Sequence, residues 1–219
     1  MDNISRIRNL SIIAHIDAGK TSCTEGLLFY SGLSHRYGNI DEGTTTMDFL
    51  PDERARGITI AAAAATIPWK DHEIHLIDTP GHIDFTAEVE RSLRAIEGAI
   101  VIFSAVEGVE AQSEKVWRQA DKYQVAKIAF INKMDRIGAS FSDTLAQINA
   151  KFDGCALPLQ LPVGLESDFH AIIDVLNAEL ISFSGEHNEE VMRQPLNPEQ
   201  AELQQLAYEQ GLENVGNFS

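Results

Sequence analysis

A polar loop ending in Gly-Lys-Thr, set between an apolar run and a helical stretch, constrains the fold of this chain most strongly. The run Leu10–Ala14 is typical of a buried strand, and the stretch from Lys20 to about Ser31 predicts a helix. The loop between them, Ala14–Thr21, reads Ala-His-Ile-Asp-Ala-Gly-Lys-Thr. Backbone N–H groups of such a loop converge on phosphates at a positive helix N-terminus, so this context predicts a phosphate-binding loop. The strict pattern begins with Gly, and Ala14 is a small departure from it.

The rest of the first two thirds of the chain alternates between apolar runs and amphipathic stretches. The predicted further strands are Ile58–Trp69, His72–Asp78, Ala99–Phe103 and a buried strand at Ile128–Ile131. Three further helices are predicted. One is defined by an apolar face of Phe85, Val89, Leu93 and Ile96, one spans Gln112–Gln124, and one is defined by an apolar face of Phe141, Leu145, Ile148 and Phe152. Buried strands alternating with helices predict an α/β fold with an open, mostly parallel sheet and helices on both faces.

The last third has a different pattern. Pro158–Val163 and Phe169–Phe183 predict short strands, as in a hairpin or a small subdomain. Asn197 followed by Pro198 predicts a capped helix start, Gly211 predicts the end of that helix, and the last residues predict a frayed tail. We therefore expect a nucleotide-binding core at residues 5–155, the start of an inserted subdomain at 156–183, and an acidic, partly helical segment at 184–219 without assignment.

Composition excludes several classes of protein. The 219 residues carry a formal charge of −16, and residues 152–219 hold twelve acidic side chains against a single basic one, Arg193. This charge disfavours nonspecific nucleic-acid binding. Two distant cysteines, Cys23 and Cys155, form no disulfide framework or metal cluster and suit a reducing, cytoplasmic location. No apolar run approaches the length of about 20 residues that spans a membrane, and the start lacks the features of a secretory signal.

Two further polar motifs follow predicted strands. Asp78–His82 comes after the strand at Ile74–Ile77, where a carboxylate beside a phosphate loop can hold a Mg²⁺ water. Asn132–Asp135 comes after the strand at Ile128–Ile131, and its last carboxylate can accept the ring N–H and exocyclic amine of guanine. A site built on those donors discriminates against adenine by roughly 10⁴ or more, which argues against an ATPase. Ligands bind at the carboxyl ends of strands in open α/β sheets, so the motifs are expected to meet at one edge.

These motifs together resemble the GTPase domain of the elongation factor G family of ribosomal translocases, over about residues 5–183. The matching segments are Ser11–Glu25, Gly43–Ile60, Ile77–Glu90 and Val116–Phe141. Ala18 is typical of the translocase group, whereas the tRNA-delivering elongation factors usually carry His at this position. The resemblance implies a phosphate-loop NTPase fold with the beginning of an inserted subdomain at Pro158–Ser182. It also implies GTP/GDP and Mg²⁺ as ligands and the ribosome as partner of the complete factor, without DNA or membrane.

The resemblance assigns a role to each motif residue. His82 would orient the attacking water, Lys20 would contact the terminal phosphates, and Asp17 could hold a monovalent cation. The implied Mg²⁺ ligands are Thr21 and Thr59, with Asp78 acting through a water. Ile16 and Ile58 would form an apolar gate over His82, or simply pack the loop. The implied nucleotide-contacting residues are Ala14, His15, Ile16, Asp17, Ala18, Gly19, Lys20, Thr21, Ser22, Asp78, Thr79, Pro80, Gly81, His82, Asn132, Lys133, Met134 and Asp135.

Two alternatives to a ribosome-stimulated translocase GTPase stay open in the sequence. The first alternative is a truncated chain that would bind guanine nucleotide with little or no turnover, because no Ser-Ala loop of the family follows Asp135. Ribosome-recycling and ribosomal-protection paralogues carry similar motifs, and the stretch from Val116 also resembles the recycling group. A monomer is expected, with self-association if the chain is truncated, because a missing last strand would leave a sheet edge uncovered.

Overall fold

The structure, a computed structural model, describes residues 3–34, 63–78, 92–152, 156–185 and 187–217. It divides into two compact units, Met1–Asn132 and Lys133–Ser219. Among the described helices, none combines the length and apolar character needed to cross a bilayer.

The first unit is built on a five-stranded sheet with helices on both faces. Its strands are β1 (Ile7–Ala14), β2 (Ala63–Trp69), β3 (His72–Asp78), β4 (Gly98–Ser104) and β5 (Ala126–Asn132). Its helices are a 3₁₀ turn (Asn3–Arg6), α1 (Lys20–Tyr30) and α2 (Ala111–Lys122). The strand order is β2-β3-β1-β4-β5, and only β2 is antiparallel to its neighbour. The predicted mostly parallel α/β sheet is therefore confirmed.

Consecutive residues of β1 are buried on opposite faces of this sheet. Ile12 packs in one core cluster with Leu28 of α1, and Ile13 packs in another with Ala120 of α2. Side chains alternate along a strand, so burial of both residues requires a helix on each face. This arrangement makes β1 the central strand, and the loop after it lies in the middle of the edge where parallel strands end.

Strand β5 differs from the prediction of a fully buried strand. Ile128 is 61% exposed and Phe130 is 43% exposed, whereas Lys127 and Ile131 on the other face are half-buried. Within the described residues β5 pairs only with β4 and forms one edge of the sheet. The apolar sequence of β5 predicts burial on both faces, but in the structure one face of the strand is covered and the other is not.

The second unit contains a four-stranded antiparallel sheet and two helices. Its elements are α3 (Phe141–Lys151), β6 (Gln160–Val163), a 3₁₀ turn (Glu166–Asp168), β7 (Ala171–Asp174), β8 (Glu179–Ser184), β9 (Glu190–Pro195) and α4 (Pro198–Asn217). The strands pair in chain order. The predicted hairpin is confirmed, and β9, which no prediction covered, extends it.

Helix α4 begins as predicted and ends later than predicted. Asn197 Oδ1 accepts from the Gln200 N–H at 2.9 Å, and Gln200 Oε1 accepts from the Asn197 N–H at 3.0 Å. This reciprocal pair is a capping box. The prediction that Gly211 ends the helix and that a frayed tail follows is wrong, because the helix continues to Asn217. Gly211 keeps helical geometry there, at a cost in propensity of about 1 kcal/mol relative to Ala.

Candidate functional site

The polar loop between β1 and α1 contains two residues with a left-handed backbone. Asp17 has φ 64° and Gly19 has φ 95°, and the Ala18 N–H donates to the His15 carbonyl at 3.3 Å. Gly19 then caps α1, because its carbonyl accepts from the Cys23 N–H at 3.0 Å. The first N–H groups of an α-helix have no partner inside the helix and favour anions. The loop therefore presents a helix N-terminus at the centre of the sheet edge.

The end of β5 holds this loop in place. Asn132 Nδ2 donates to the carbonyl of Ala18 at 2.8 Å. A Cβ added at Gly19 would overlap the same amide nitrogen. Gly19 thus satisfies two requirements at once, a left-handed backbone and a close approach to Asn132. The structure brings the first and third predicted motifs into direct contact through one hydrogen bond.

The first turns of α1 bury polar side chains where a helix usually buries apolar ones. Lys20 and Thr21 are each 9% exposed, and Thr24 and Glu25 are fully buried. Thr24 Oγ1 donates to the Lys20 carbonyl at 3.0 Å. Buried charged groups occur where they are paired or serve a ligand. Buried Lys20 and Thr21 at a helix N-terminus have the chemistry to hold a phosphate group and a divalent cation, since an ammonium group could pair with phosphate and a hydroxyl could ligate the cation.

Helix α2 supports the other side of the loop. His15 is buried, and its Nδ1 lies 3.3 Å from Ser113 Oγ, while the Ile16 N–H donates to Gln112 Oε1 at 3.3 Å. Ile16 itself is 41% exposed. Gln112 and Ser113 are absent from the predicted site residues, and no local signal marks them, because they lie almost one hundred residues from the loop.

The remaining predicted residues fall into two groups. Asp78 ends β3, at the same edge of the sheet as Ala14 and Asn132, and only its backbone is described. Thr59, Thr79, Pro80, Gly81 and His82 lie outside the described residues, as does Ile58 of the predicted gate. In the described part of the chain, no group of three or more His, Cys, Asp or Glu side chains could hold a metal ion.

The second unit carries the other half of the predicted guanine motif. Lys133 has a left-handed backbone with φ 62°, and its carbonyl accepts from the Arg136 N–H at 3.1 Å, which closes a turn. Met134 is buried, whereas the Asp135 side chain is 71% exposed. The turn therefore buries the apolar residue of the motif and leaves the carboxylate accessible to a ligand from solvent.

A mostly parallel sheet with helices on both faces, and a Gly-Lys-Thr loop that follows its central strand, define a phosphate-loop nucleotide-binding domain. Residues 5–214 match the family described as the Elongation factor Tu GTP binding domain, and the chain belongs to that family. The match extends well past residue 183, where the resemblance seen in the sequence ended. Membership in this family supports guanine-nucleotide binding and, in general terms, GTPase activity.

Named relatives agree with this assignment. The chain is 55% identical over 175 residues to elongation factor G 2 of Borreliella afzelii, covering 80% of the chain and 26% of the relative. It is 48% identical over 216 residues to elongation factor G of Thermotoga neapolitana, covering 99% of the chain and 31% of the relative. The chain thus spans about a quarter to a third of the length of these curated relatives. These relatives support the assignment of the chain as the GTP-binding domain of a translation elongation factor.

A solved structure shows the same fold. A crystal structure of a protein from Thermus thermophilus superposes with a TM-score of 0.87 at 29% sequence identity. The superposition covers 95% of this chain and 31% of that chain. The likeness confirms the fold class predicted from the alternating strands and helices.

Proposed function

We propose that this chain binds GTP and GDP with Mg²⁺ and hydrolyses GTP as the nucleotide-binding part of a translocase-type elongation factor stimulated by the ribosome. The observation that carries the proposal is the hydrogen bond between Asn132 Nδ2 and the Ala18 carbonyl, because it joins a phosphate loop to a guanine motif. The names of the relatives support the translocase type. The ribosome is the proposed partner of the complete factor, which we expect to be a monomer in the cytoplasm and to use neither DNA nor a membrane.

The proposed chemistry is phosphoryl transfer to water, in which the protein mainly positions groups and stabilises charge. Lys20 would pair with the terminal phosphates, and the loop N–H groups would bind phosphate oxygens. Mg²⁺, when bound, would neutralise the charge that develops on the phosphates, and Thr21, Thr59 and Asp78 are the proposed residues around it. His82 would orient the attacking water, a role that rests on the resemblance. A monovalent cation near Asp17 is a further proposal of the same kind.

We also propose a role for each segment of the chain. Residues 5–155 would form the nucleotide-binding core, and residues 156–183 would begin an inserted subdomain. The acidic segment at 184–219, for which the sequence predicts no role, includes β9 and α4. Base recognition would fall to Asn132, Lys133 and Asp135, with the Lys133 stem covering a base face.

A binding titration tests guanine recognition directly. The unmutated chain should bind GDP far more tightly than ADP, because adenine lacks the two donors that Asp135 would accept. Asp135→Asn should weaken GDP and improve xanthosine diphosphate, since the new amide offers a donor to the xanthine carbonyl. Glu202→Ala, which removes an exposed carboxylate of α4, is the matched control and should change neither affinity. Equal affinity of the unmutated chain for ADP and GDP would refute the proposal.

Ribosome-stimulated hydrolysis needs a separate test in the full-length factor. His82→Ala should keep GDP affinity but lose single-turnover hydrolysis on ribosomes, because the His82 side chain would act only in the transition state. Lys20→Ala should lose nucleotide affinity itself. If His82→Ala hydrolyses GTP at the unmutated rate, the role given to His82 is wrong.

A further inference from the structure

The loop that carries Asp135 is anchored at both ends and exposed in the middle. Met134 is 7% exposed and Ala139 is 8% exposed, whereas Ile137 between them is 88% exposed. Two turn hydrogen bonds shape the loop, from the Arg136 N–H to the Lys133 carbonyl and from the Ala139 N–H to the Arg136 carbonyl, each at 3.1 Å. Local turns set the shape of such a loop but leave its position relative to the rest of the unit to other contacts.

One such contact comes from a residue 28 positions further along the chain. Glu166 Oε1 accepts a hydrogen bond from the Gly138 N–H at 2.7 Å. That distance lies at the short end of the ordinary range for an N–H···O hydrogen bond. Gly138 lies three residues from Asp135, on the exposed part of the loop. The bond therefore ties the centre of the Asp135 loop to the connection between β6 and β7.

Glu166 is itself held in a rigid setting. It has a left-handed backbone with φ 50°, and it opens the 3₁₀ turn Glu166–Asp168. The turn is closed by a bond from the Asp168 N–H to the Leu165 carbonyl at 2.9 Å and by one from the Phe169 N–H to the Glu166 carbonyl at 3.1 Å. At Gly164, where φ is 85°, an added Cβ would overlap the Asp168 carbonyl. This compact connection fixes the backbone at Glu166, and therefore the direction in which its Cα–Cβ bond leaves the chain.

We propose that Glu166 is a positioning residue for guanine recognition, which it serves by holding the Gly138 N–H and thereby the Asp135 carboxylate. This inference rests on the proposed function, since it needs Asp135 to read the base. A bidentate contact to the ring N–H and the exocyclic amine tolerates little displacement of the carboxylate. Glu166 would thus influence base selectivity without touching the nucleotide.

The test compares three substitutions that separate reach from charge. Glu166→Gln keeps an oxygen at the same reach, so it should bind GDP like the unmutated chain. Glu166→Asp keeps the charge but is one methylene shorter, so it should behave like Glu166→Ala. Both of these variants should lose about three- to tenfold in GDP affinity, the range expected for the net contribution of one ordinary protein hydrogen bond. If Glu166→Ala does not fold, the Asp and Gln variants still decide the question.

Inosine diphosphate provides the readout that a merely structural role would not change. Inosine lacks the exocyclic amine, so a misplaced Asp135 carboxylate should cost GDP more than it costs inosine diphosphate. The preference for GDP over inosine diphosphate, taken as the ratio of the two affinities, should fall in Glu166→Ala and Glu166→Asp. It should stay unchanged in Glu166→Gln and in Glu202→Ala. An unchanged ratio in the Ala and Asp variants of a guanine-selective chain overturns this inference alone. A chain that does not prefer GDP over ADP overturns the proposed function instead.

Discussion

Replacing Gly19 by Ala tests how the phosphate loop is held. The left-handed backbone at φ 95° costs a residue with a Cβ about 1–2 kcal/mol. The new methyl group would also displace the Asn132 amide, whose hydrogen bond to the Ala18 carbonyl contributes about 0.5–1.5 kcal/mol net. The two effects together predict a loss of about 1.5–3.5 kcal/mol in the free energy of unfolding, which corresponds to roughly a tenfold to four-hundredfold change in the unfolding equilibrium.

Urea denaturation followed by far-UV circular dichroism measures this loss, and a GDP titration on the same samples measures the effect on the site. Gly211→Ala is the matched control, because an added Cβ there meets no atom and the residue lies inside α4. The same substitution should therefore stabilise the chain at position 211, by about 0.5–1 kcal/mol. If Gly19→Ala and Gly211→Ala shift the free energy of unfolding in the same direction, the reasoning about left-handed geometry and close approach is refuted.

Three further predictions concern the cap of α4, a carboxylate in the second unit and the edge strand. Asn197→Ala should lower the free energy of unfolding by about 1 kcal/mol, because it removes the capping box, and urea denaturation would show it. At Asp174, burial raises the pKa but hydrogen bonds from the Asn177 side chain and the Asn177 and Leu176 N–H groups outweigh it, so the pKa is lowered overall. A lowered folded-state pKa stabilises the chain above the unfolded-state pKa of about 3.9, so the stability lost in Asp174→Asn should shrink as the pH falls below that value. Ile128→Thr on the exposed face of β5 should change the free energy of unfolding by less than about 0.5 kcal/mol, whereas Ile102→Ala in the core should cost about 2–5 kcal/mol. Equal losses in the last pair would contradict the exposure of β5.

The strands and helices of the first unit were predictable because each has a strong local pattern. Apolar runs marked β1, β3 and β4, and the Gly-Lys-Thr loop marked the start of α1. The exposed face of β5 was not predictable from its own residues, because Ala-Lys-Ile-Ala-Phe-Ile is apolar on both faces. The expectation of an uncovered sheet edge came instead from the family resemblance, which implied a missing last strand. Sequence periodicity reports the composition of a face and says nothing about whether a partner lies against it.

The second unit contains a strand whose own sequence does not predict a strand. Strand β9 reads Glu-Val-Met-Arg-Gln-Pro, all of it exposed, and has no apolar alternation to predict it. It is a strand because it pairs with β8 along its whole length, with an ion pair from Arg193 to Glu179 at 2.8 Å. Helix α4 is held against the sheet where Gln204 donates to the Val175 carbonyl at 2.6 Å, and it continues through Gly211 to Asn217. At β9 the pairing with β8 overrides the low intrinsic strand propensity of the segment.

The candidate site follows the same division. Its motif residues could be proposed from short segments of sequence, but the contacts that hold the described ones are not local. Gln112, Ser113 and Asn132 all contact the phosphate loop, at sequence separations of 96, 98 and 114. A loop with left-handed turns at Asp17 and Gly19 keeps its shape only when surrounding groups determine it. Gln112 and Ser113 therefore stabilise the conformation of the loop although neither lies in a motif. Substitutions at these two positions should weaken phosphate binding because they would change that conformation.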